Sequence, residues 1–307
     1  MAFAVTEQEK DTPAERTDRA INLLAHFSIE VTPRTAARIE DFRPLLPQGT
    51  RVYIAHIEGT PIEAMVATAR RLSEEGFAPM PHMTARGIAD AETLDGWIRR
   101  YRDEAGVEQA LLLGGGHTRP VGHLDGVMAM LETGLFDRHG FKRLHVAGHP
   151  EGNRDIDRAG GTANVDAALR SKHDYAQRTD AHMAIVTQFA FEATPVIAWA
   201  ERIFADGIDL PVHIGIAGPT RLQTLLKYAI TCGVGPSISV LQKRALDFRK
   251  LLLPFEPTDL VDAIEAYCAA HPHSRIAQCH VFPLGGIAAS ADWARVRAGR
   301  TAAHSSE

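Results

Sequence analysis

The sequence predicts a single (β/α)8 barrel, or TIM barrel, with one extra helix at its N-terminus. Three observations predict it. Eight short apolar or β-branched runs recur between residues 27 and 282. Between them lie stretches with apolar residues near i, i+3, i+4 and i+7, the alternation that builds a parallel sheet covered on both faces. Eight such units in one chain of this length fit a closed barrel of about 250 residues better than an open sheet of about five or six strands. No Gly-x-Gly-x-x-Gly follows the first strand, which argues against a dinucleotide-binding open sheet.

Thr12 and Pro13 have the N-cap and first-turn chemistry of the extra helix. The strands are expected at residues 27–31, 52–57, 78–83, 110–113, 144–147, 183–191, 212–216 and 276–282, and the main helices at 61–75, 91–104, 124–136, 164–177, 195–205, 221–232 and 247–270. One domain is expected over residues 1–307, with loose tails at 1–10 and 296–307.

Composition narrows the partners. The 307 residues are 45% hydrophobic and 23% charged, with a net charge of −5 and no long basic run. This speaks against nucleic acid or an anionic membrane as a partner. The three cysteines, Cys232, Cys268 and Cys279, are widely spaced, as free thiols in a reducing compartment would be. No run approaches the roughly 20 apolar residues of a membrane span, and the first ten residues lack a signal-peptide core. A cytoplasmic protein is expected.

In such a barrel, chemistry is done at the C-terminal strand ends. Glu30 lies at the end of the first strand, because Pro33 lacks the N–H that a continuing ladder needs. Of 15 histidines, His56, His82, His117 and His149 fall at successive strand ends. They suit either a metal or a polar organic cofactor, and no HExxH or paired ligand spacing chooses between them. Gly114, Gly115 and Gly116 form either a tight turn or a loop allowing close backbone approach to a ligand. Gln188 ends a strongly apolar strand, where a neutral amide either bonds a loop or reads the edge of a heterocycle.

Together these segments resemble the methylenetetrahydrofolate reductase family over nearly the whole chain. Phe27-Ser-Ile-Glu-Val-Thr-Pro-Arg-Thr35 resembles the family's opening strand with its acidic glutamate, although a double proline usually follows and only Pro33 remains here. Pro81-His-Met-Thr84 is similar to Pro-His-Leu-Thr, Val146-Ala-Gly-His-Pro-Glu-Gly152 to Val-Ala-Gly-Tyr-Pro-x-Gly, Leu169-Arg-Ser-Lys172 to Leu-x-x-Lys, and Thr187-Gln-Phe-Ala-Phe191 to Thr-Gln-Phe-Phe-Phe. The resemblance implies a homo-oligomeric flavoprotein of one-carbon and methionine metabolism. It holds FAD, uses NAD(P)H as co-substrate and interconverts 5,10-methylenetetrahydrofolate and 5-methyltetrahydrofolate. By resemblance, Glu30 is the catalytic acid and contacts the folate substrate with Gln188. His56, His82, Gly114, Gly115, Gly116, His117, His149, Asn153 and Lys172 hold the cofactor. An acid that protonates a folate nitrogen near neutral pH is expected to have a raised pKa.

The chain departs from the family where Leu-Arg-Gly-Asp reads Leu113-Gly-Gly-Gly116, where the strand-five tyrosine is His149, where a following histidine is Asn153, and where Leu-Asn-Arg reads Leu284-Gly-Gly286. A family threonine is replaced by His56. Two other readings stand beside the reductase: a metal-dependent barrel hydrolase built on His56, His82, His117 and His149, and a non-catalytic folate- or flavin-binding paralogue.

Overall fold

The computed structural model describes residues 21–231 and 255–304. Eight strands, β1 (Ser28–Val31), β2 (Arg51–Ile54), β3 (Ala78–Thr84), β4 (Gln109–Leu113), β5 (Arg143–Gly148), β6 (His182–Ala190), β7 (Val212–Ala217) and β8 (Ile276–Phe282), pair in parallel and in chain order. β1 returns to pair with β8, closing the barrel. The helices are α1 (Pro33–Ala36), α2 (Ile62–Glu74), α3 (Ala91–Ala105), α4 (Val127–Leu131), α5 (Leu135–Arg138), α6 (Ala163–Ala176), α7 (Ala193–Ala205), α8 (Leu222–Thr231), α9 (Thr258–Ala270) and α10 (Ile287–His304). This is the expected (β/α)8 architecture. The expected N-terminal helix and the 1–10 tail lie outside the described residues.

The strands are buried on both sides, but the two sides differ. Ile29, Val31, Val52, Ile54, Leu112, Val146, Ile185, Ile214 and Val281 point outward and join the helices in one continuous apolar core. The alternate positions face the axis, as period-two side-chain alternation requires. There Tyr53, Met80, Leu111 and Val186 form a small apolar cluster. Around it lie polar groups: Ser28, His145, His213 and His280 are almost wholly buried.

Three expectations on element boundaries are corrected. The helix expected at 124–136 is split into α4 and α5 by Gly134, whose φ of 65° no regular right-handed helix contains. The helix expected at 247–270 begins only at Thr258, after Pro257; Phe255 instead pairs antiparallel with Thr220. Residues 247–254, and Cys232 of the helix expected at 221–232, lie outside the described residues. The loose end expected from residue 296 is helical through His304. Alanine and arginine favour helix there, and Arg297 anchors it by hydrogen bonds to Asp262 and Glu265. Glu265 also accepts the Leu23 N–H, tying the first described residues to the same end of the barrel.

Candidate active site at the barrel mouth

Glu30 is delivered to the mouth by a sharp change of local structure. Thr32 caps α1: its hydroxyl accepts the Thr35 N–H and the Thr35 hydroxyl accepts the Thr32 N–H. Pro33 fills the first helical turn, where no N–H is needed. The strand therefore stops one residue after Glu30, and its carboxylate faces inward with 20% of the side chain open.

Two imidazoles meet that carboxylate. His82 Nε2, from β3, lies 3.2 Å from Glu30 Oε2, and His280 Nε2, from β8, lies 3.9 Å from it. Both nitrogens are buried, and neither has a well-aligned hydrogen bond. Burial by itself raises the Glu30 pKa, but His280 and His82 together outweigh it and hold the group at about 2. The expectation of a raised pKa is thus reversed, because two imidazoles beside the acid outweigh the desolvation that raises it.

A cavity of about 300 Å³ opens on the β2–β4 side, lined by His56, Thr60, Thr84, Trp97, Gly116 and His117 among others. His56 Nε2 bonds the Thr60 carbonyl at 2.9 Å and its ring leans on Trp97. Its Nδ1 is buried without a partner. Burial, and then the charges of His82 and His117, lower its pKa, so His82 is electrostatically continuous with both Glu30 and this cavity. His117 Nδ1 lies 3.4 Å from Glu58. The glycine loop is clamped by Arg86, which donates to the Gly114 and Gly115 carbonyls. Gly115 adopts φ 89°, which strains any other residue, and a Cβ there would lie 3.0 Å from the Thr84 Cβ. Gly116 has open space around it.

A third group lies beyond β5. Lys172, on α6, is only 8% exposed and has no ion pair or hydrogen bond among the described residues. Burial lowers its pKa to about 8. Burial, and the charge of Lys172, bring His149 down to about 4. Asn153 serves the intervening turn: its side chain accepts the Asp155 N–H and its carbonyl accepts the Ile156 and Asp157 N–H groups. Asp157 in turn caps α6 by accepting the Asn164 and Val165 N–H groups.

Gln188 stands on a bulge in β6, where the register with β7 shifts between Val186 and Phe189. Its side-chain oxygen accepts the Phe189 N–H at 3.2 Å, which leaves the amide nitrogen's hydrogens free to donate elsewhere. Bulges re-aim side chains in this way. Phe189, Phe191 and Phe282 make an aromatic wall beside it.

The structure therefore brings Glu30 and His82 into contact, gathers His56, Gly116 and His117 around one cavity, and sets Lys172 close enough for its charge to act on His149. No cluster of three or more His, Cys, Asp or Glu placed to hold a metal occurs among the described residues, so the four strand-end histidines do not converge on one ion. No helix among them is long and apolar enough to cross a membrane. Sequence reasoning missed Arg86, Trp97 and the interior set Ser28, Tyr53, His145, His213 and His280. A signal for the interior set existed: polar residues two apart, Ser28 and Glu30, Arg51 and Tyr53, Arg143 and His145, Gln278 and His280, in otherwise apolar strands.

No family model matches the chain. Among solved structures, an uncharacterized protein from Clostridium thermocellum that binds two copies of 5-methyl-5,6,7,8-tetrahydrofolic acid superposes with a TM-score of 0.57 at 12% identity, over 90% of this chain and 98% of its own. A 7,8-dihydropteroate synthase from Vibrio fischeri ES114 gives 0.45 at 11% identity, over 91% and 94%. The catalytic domain of a mannanase from Streptomyces sp. SirexAA-E gives 0.38 at 14%, over 76% and 82%. The first is a likeness of fold; the other two are too distant in shape to carry an argument.

Proposed function

We propose that this barrel is a flavin-dependent folate oxidoreductase that interconverts 5,10-methylenetetrahydrofolate and 5-methyltetrahydrofolate with NAD(P)H. The observation that carries the proposal is the Glu30–His82 contact at the mouth. It is a half-buried carboxylate and a buried imidazole with 3.2 Å between Glu30 Oε2 and His82 Nε2, on the residues that resemble the reductase family. The Clostridium barrel of the same fold, which holds 5-methyltetrahydrofolate, supports the substrate class.

The residues present fit an FAD. Lys172 is a largely buried lysine with no anion paired to it among the described residues, which suits a pyrophosphate. His56 has an unpaired buried nitrogen, and a Cβ at Gly116 would meet nothing within 4 Å, so that side of the loop is clear for a ligand's approach. When bound, the flavin supplies the hydride. Everything else is the chain's task. In the free site the neighbouring His280 and His82 imidazoles stabilise the charged form of Glu30. A bound folate covers the open fifth of Glu30 and removes its remaining water, which raises the proton affinity of the carboxyl. Glu30 then takes up a proton at Oε2 and hands it to the folate nitrogen whose protonation opens the five-membered ring, while His82 Nε2, 3.2 Å away, holds the carboxyl in place. Gln188 donates to the heterocycle from its amide, and the Phe189–Phe282 wall excludes water from one side.

The test is spectroscopic and kinetic. Purified protein reconstituted with FAD should show flavin absorbance, be bleached anaerobically by NADH or NADPH, and be reoxidised by methylenetetrahydrofolate. The reverse assay with 5-methyltetrahydrofolate and an electron acceptor should also turn over. A colourless protein that rejects FAD and carries stoichiometric metal overturns the proposal. Bound FAD without turnover leaves a binding protein.

A further inference from the structure

His280 is wholly buried beneath Glu30, inside a barrel whose interior positions are more commonly filled by Val, Ile and Leu. Its two nitrogens have different fates. Nδ1 shares a 2.9 Å hydrogen bond with Ser28 Oγ, two residues before Glu30 on the same strand. Nε2 has no hydrogen-bond partner among the described residues, and the acceptor in range is Glu30 Oε2 at 3.9 Å. An unsatisfied buried donor costs about 1–3 kcal/mol, so the pair is poised to close. The ring cannot turn away: Tyr53 packs on it at 4.3 Å and the edge of Phe282 at 4.8 Å between centroids.

We infer that His280, pinned by Ser28, is a positioning residue that shares a proton with Glu30 from inside the barrel, so that the proton-exchanging unit is a Glu30–His82–His280 triad. This deepens the proposed role of Glu30 as proton donor and rests on it only for the effect on turnover. Ser28 donates its hydroxyl to Nδ1, while its oxygen accepts the Gln278 side-chain N–H at 3.4 Å. The neutral ring then carries its proton on Nε2, facing the Glu30 carboxylate, and the proton they share moves no electrons. Ser28 thus selects the Nε2–H tautomer.

The surroundings agree. Facing His280 are Glu30 and Ser28 from β1, Arg51 and Tyr53 from β2, His82 from β3, His145 from β5 and His213 from β7. Burial, with the charges of His82 and Arg51, makes the His280 proton easier to lose, while Glu30 holds it. His145 and His213 are pushed well below the usual histidine range by burial, so they add no competing proton near pH 7. Tyr53 shares a hydrogen bond with His145 Nδ1 at 2.5 Å, which keeps the layer beneath His280 fixed.

The experiment uses the full-length ligand-free protein. The Glu30 carboxyl is followed by carbon NMR of labelled glutamate, assigned by its loss in Glu30→Gln, and the His280 tautomer by long-range proton–nitrogen spectra. In His280→Phe, the Glu30 midpoint should rise by about one pH unit or more, since burial remains and one stabilising partner is gone. In Ser28→Ala, which keeps the imidazole, the Nε2–H tautomer should lose population and the Glu30 midpoint should move the same way by less. If His280→Phe does not fold, Ser28→Ala decides. An unchanged Glu30 midpoint and tautomer in folded Ser28→Ala overturns the inference, as does an unchanged midpoint in folded His280→Phe. Because these readings need neither flavin nor folate, a failure of the proposed function leaves them standing.

Discussion

Glu30 Oε2 lies 3.2 Å from His82 Nε2, although the strands that carry them, β1 and β3, are not neighbours in the barrel. The contact crosses the mouth above β2. It places a carboxylate and an imidazole where a ligand entering from the strand ends meets both. Replacing Glu30 by Gln keeps the shape and removes the charge and the proton. Flavin binding and its reduction by NAD(P)H should survive, while folate reduction falls about 10²-fold or more, the usual contribution of a positioned acid. Stopped-flow measurement of the two half-reactions separates these. Folate reduction at the wild-type rate in Glu30→Gln would remove the residue from the chemistry.

Acid should destabilise this barrel earlier than carboxylates alone require. His149 is held near 4, below its unfolded value of 6.5, and His56, His145, His213 and His280 are all lowered, chiefly by burial. For such a group the unfolded chain takes up a proton first. Stability is therefore intact above pH 6.5 and is lost as pH falls below it, by on the order of 3 kcal/mol at pH 4 for His149 alone. Glu30 acts later: with a folded value of about 2 against 4.5 unfolded, its contribution is present above 4.5 and fades between 4.5 and 2. Thermal unfolding from pH 8 to 4 should show Tm dropping from about 6.5 downward, less steeply in His149→Asn. A Tm that stays flat to pH 5 contradicts the buried neutral histidines.

How much of this could be read from the sequence depends on whether a side chain follows or breaks its strand's pattern. The barrel was legible because eight apolar runs and their helical spacers are strongly periodic, and the β8 expectation, 276–282, matches the observed strand. Gly134 was invisible because one glycine inside an apolar helical pattern does not announce its φ. Glu30 and His82 stood out because each ends a strand. His280 and Tyr53 did not, because the side chains opposite them in the barrel come from strands far away in the chain. Lys172 was picked by resemblance; its burial belongs to how α6 packs, which no local pattern encodes.

Lys172→Ala tests the cofactor side. Lys172 is only 8% exposed and burial disfavours its charge, so its removal should leave Tm unchanged or raise it, while FAD affinity falls about 10-fold, equivalent to about 1.4 kcal/mol. The free amine has a pKa of about 8 against 10.5 unfolded. The unfolded chain therefore binds more protons between those values, and stability should rise as pH climbs from 8 to 10.5. An anion beside the amine favours its charged form, so FAD binding at pH 8 should take up protons, visible as a buffer-dependent calorimetric enthalpy. Equal FAD affinity in the variant places Lys172 outside the cofactor site.

The last prediction concerns the bulge that presents Gln188. Gly215 on β7 passes so close to β6 that a Cβ there would lie 2.4 Å from the Thr187 carbonyl oxygen and 2.6 Å from that of Gln188. Both obstacles are backbone, so neither can swing aside. The same segment is tied by Thr187, whose hydroxyl accepts the Gly215 N–H at 2.8 Å and donates to the Gln188 carbonyl at 2.9 Å. Gly215→Ala must therefore push β6 and β7 apart, with a loss of about 1–3 kcal/mol and a displaced Gln188. Thr187→Val keeps the volume but strips the Gly215 N–H of its buried partner, costing a similar amount, about 1–3 kcal/mol. If the bulge exists to aim Gln188 at the folate, both variants should raise KM for the folate more than for NAD(P)H, and Gln188→Ala should reproduce that KM effect with little loss of Tm. Were Gly215→Ala as stable as wild type, the close approach of β7 to the bulge would be wrong. A folded Gly215→Ala with unchanged folate KM would instead separate the bulge from substrate binding.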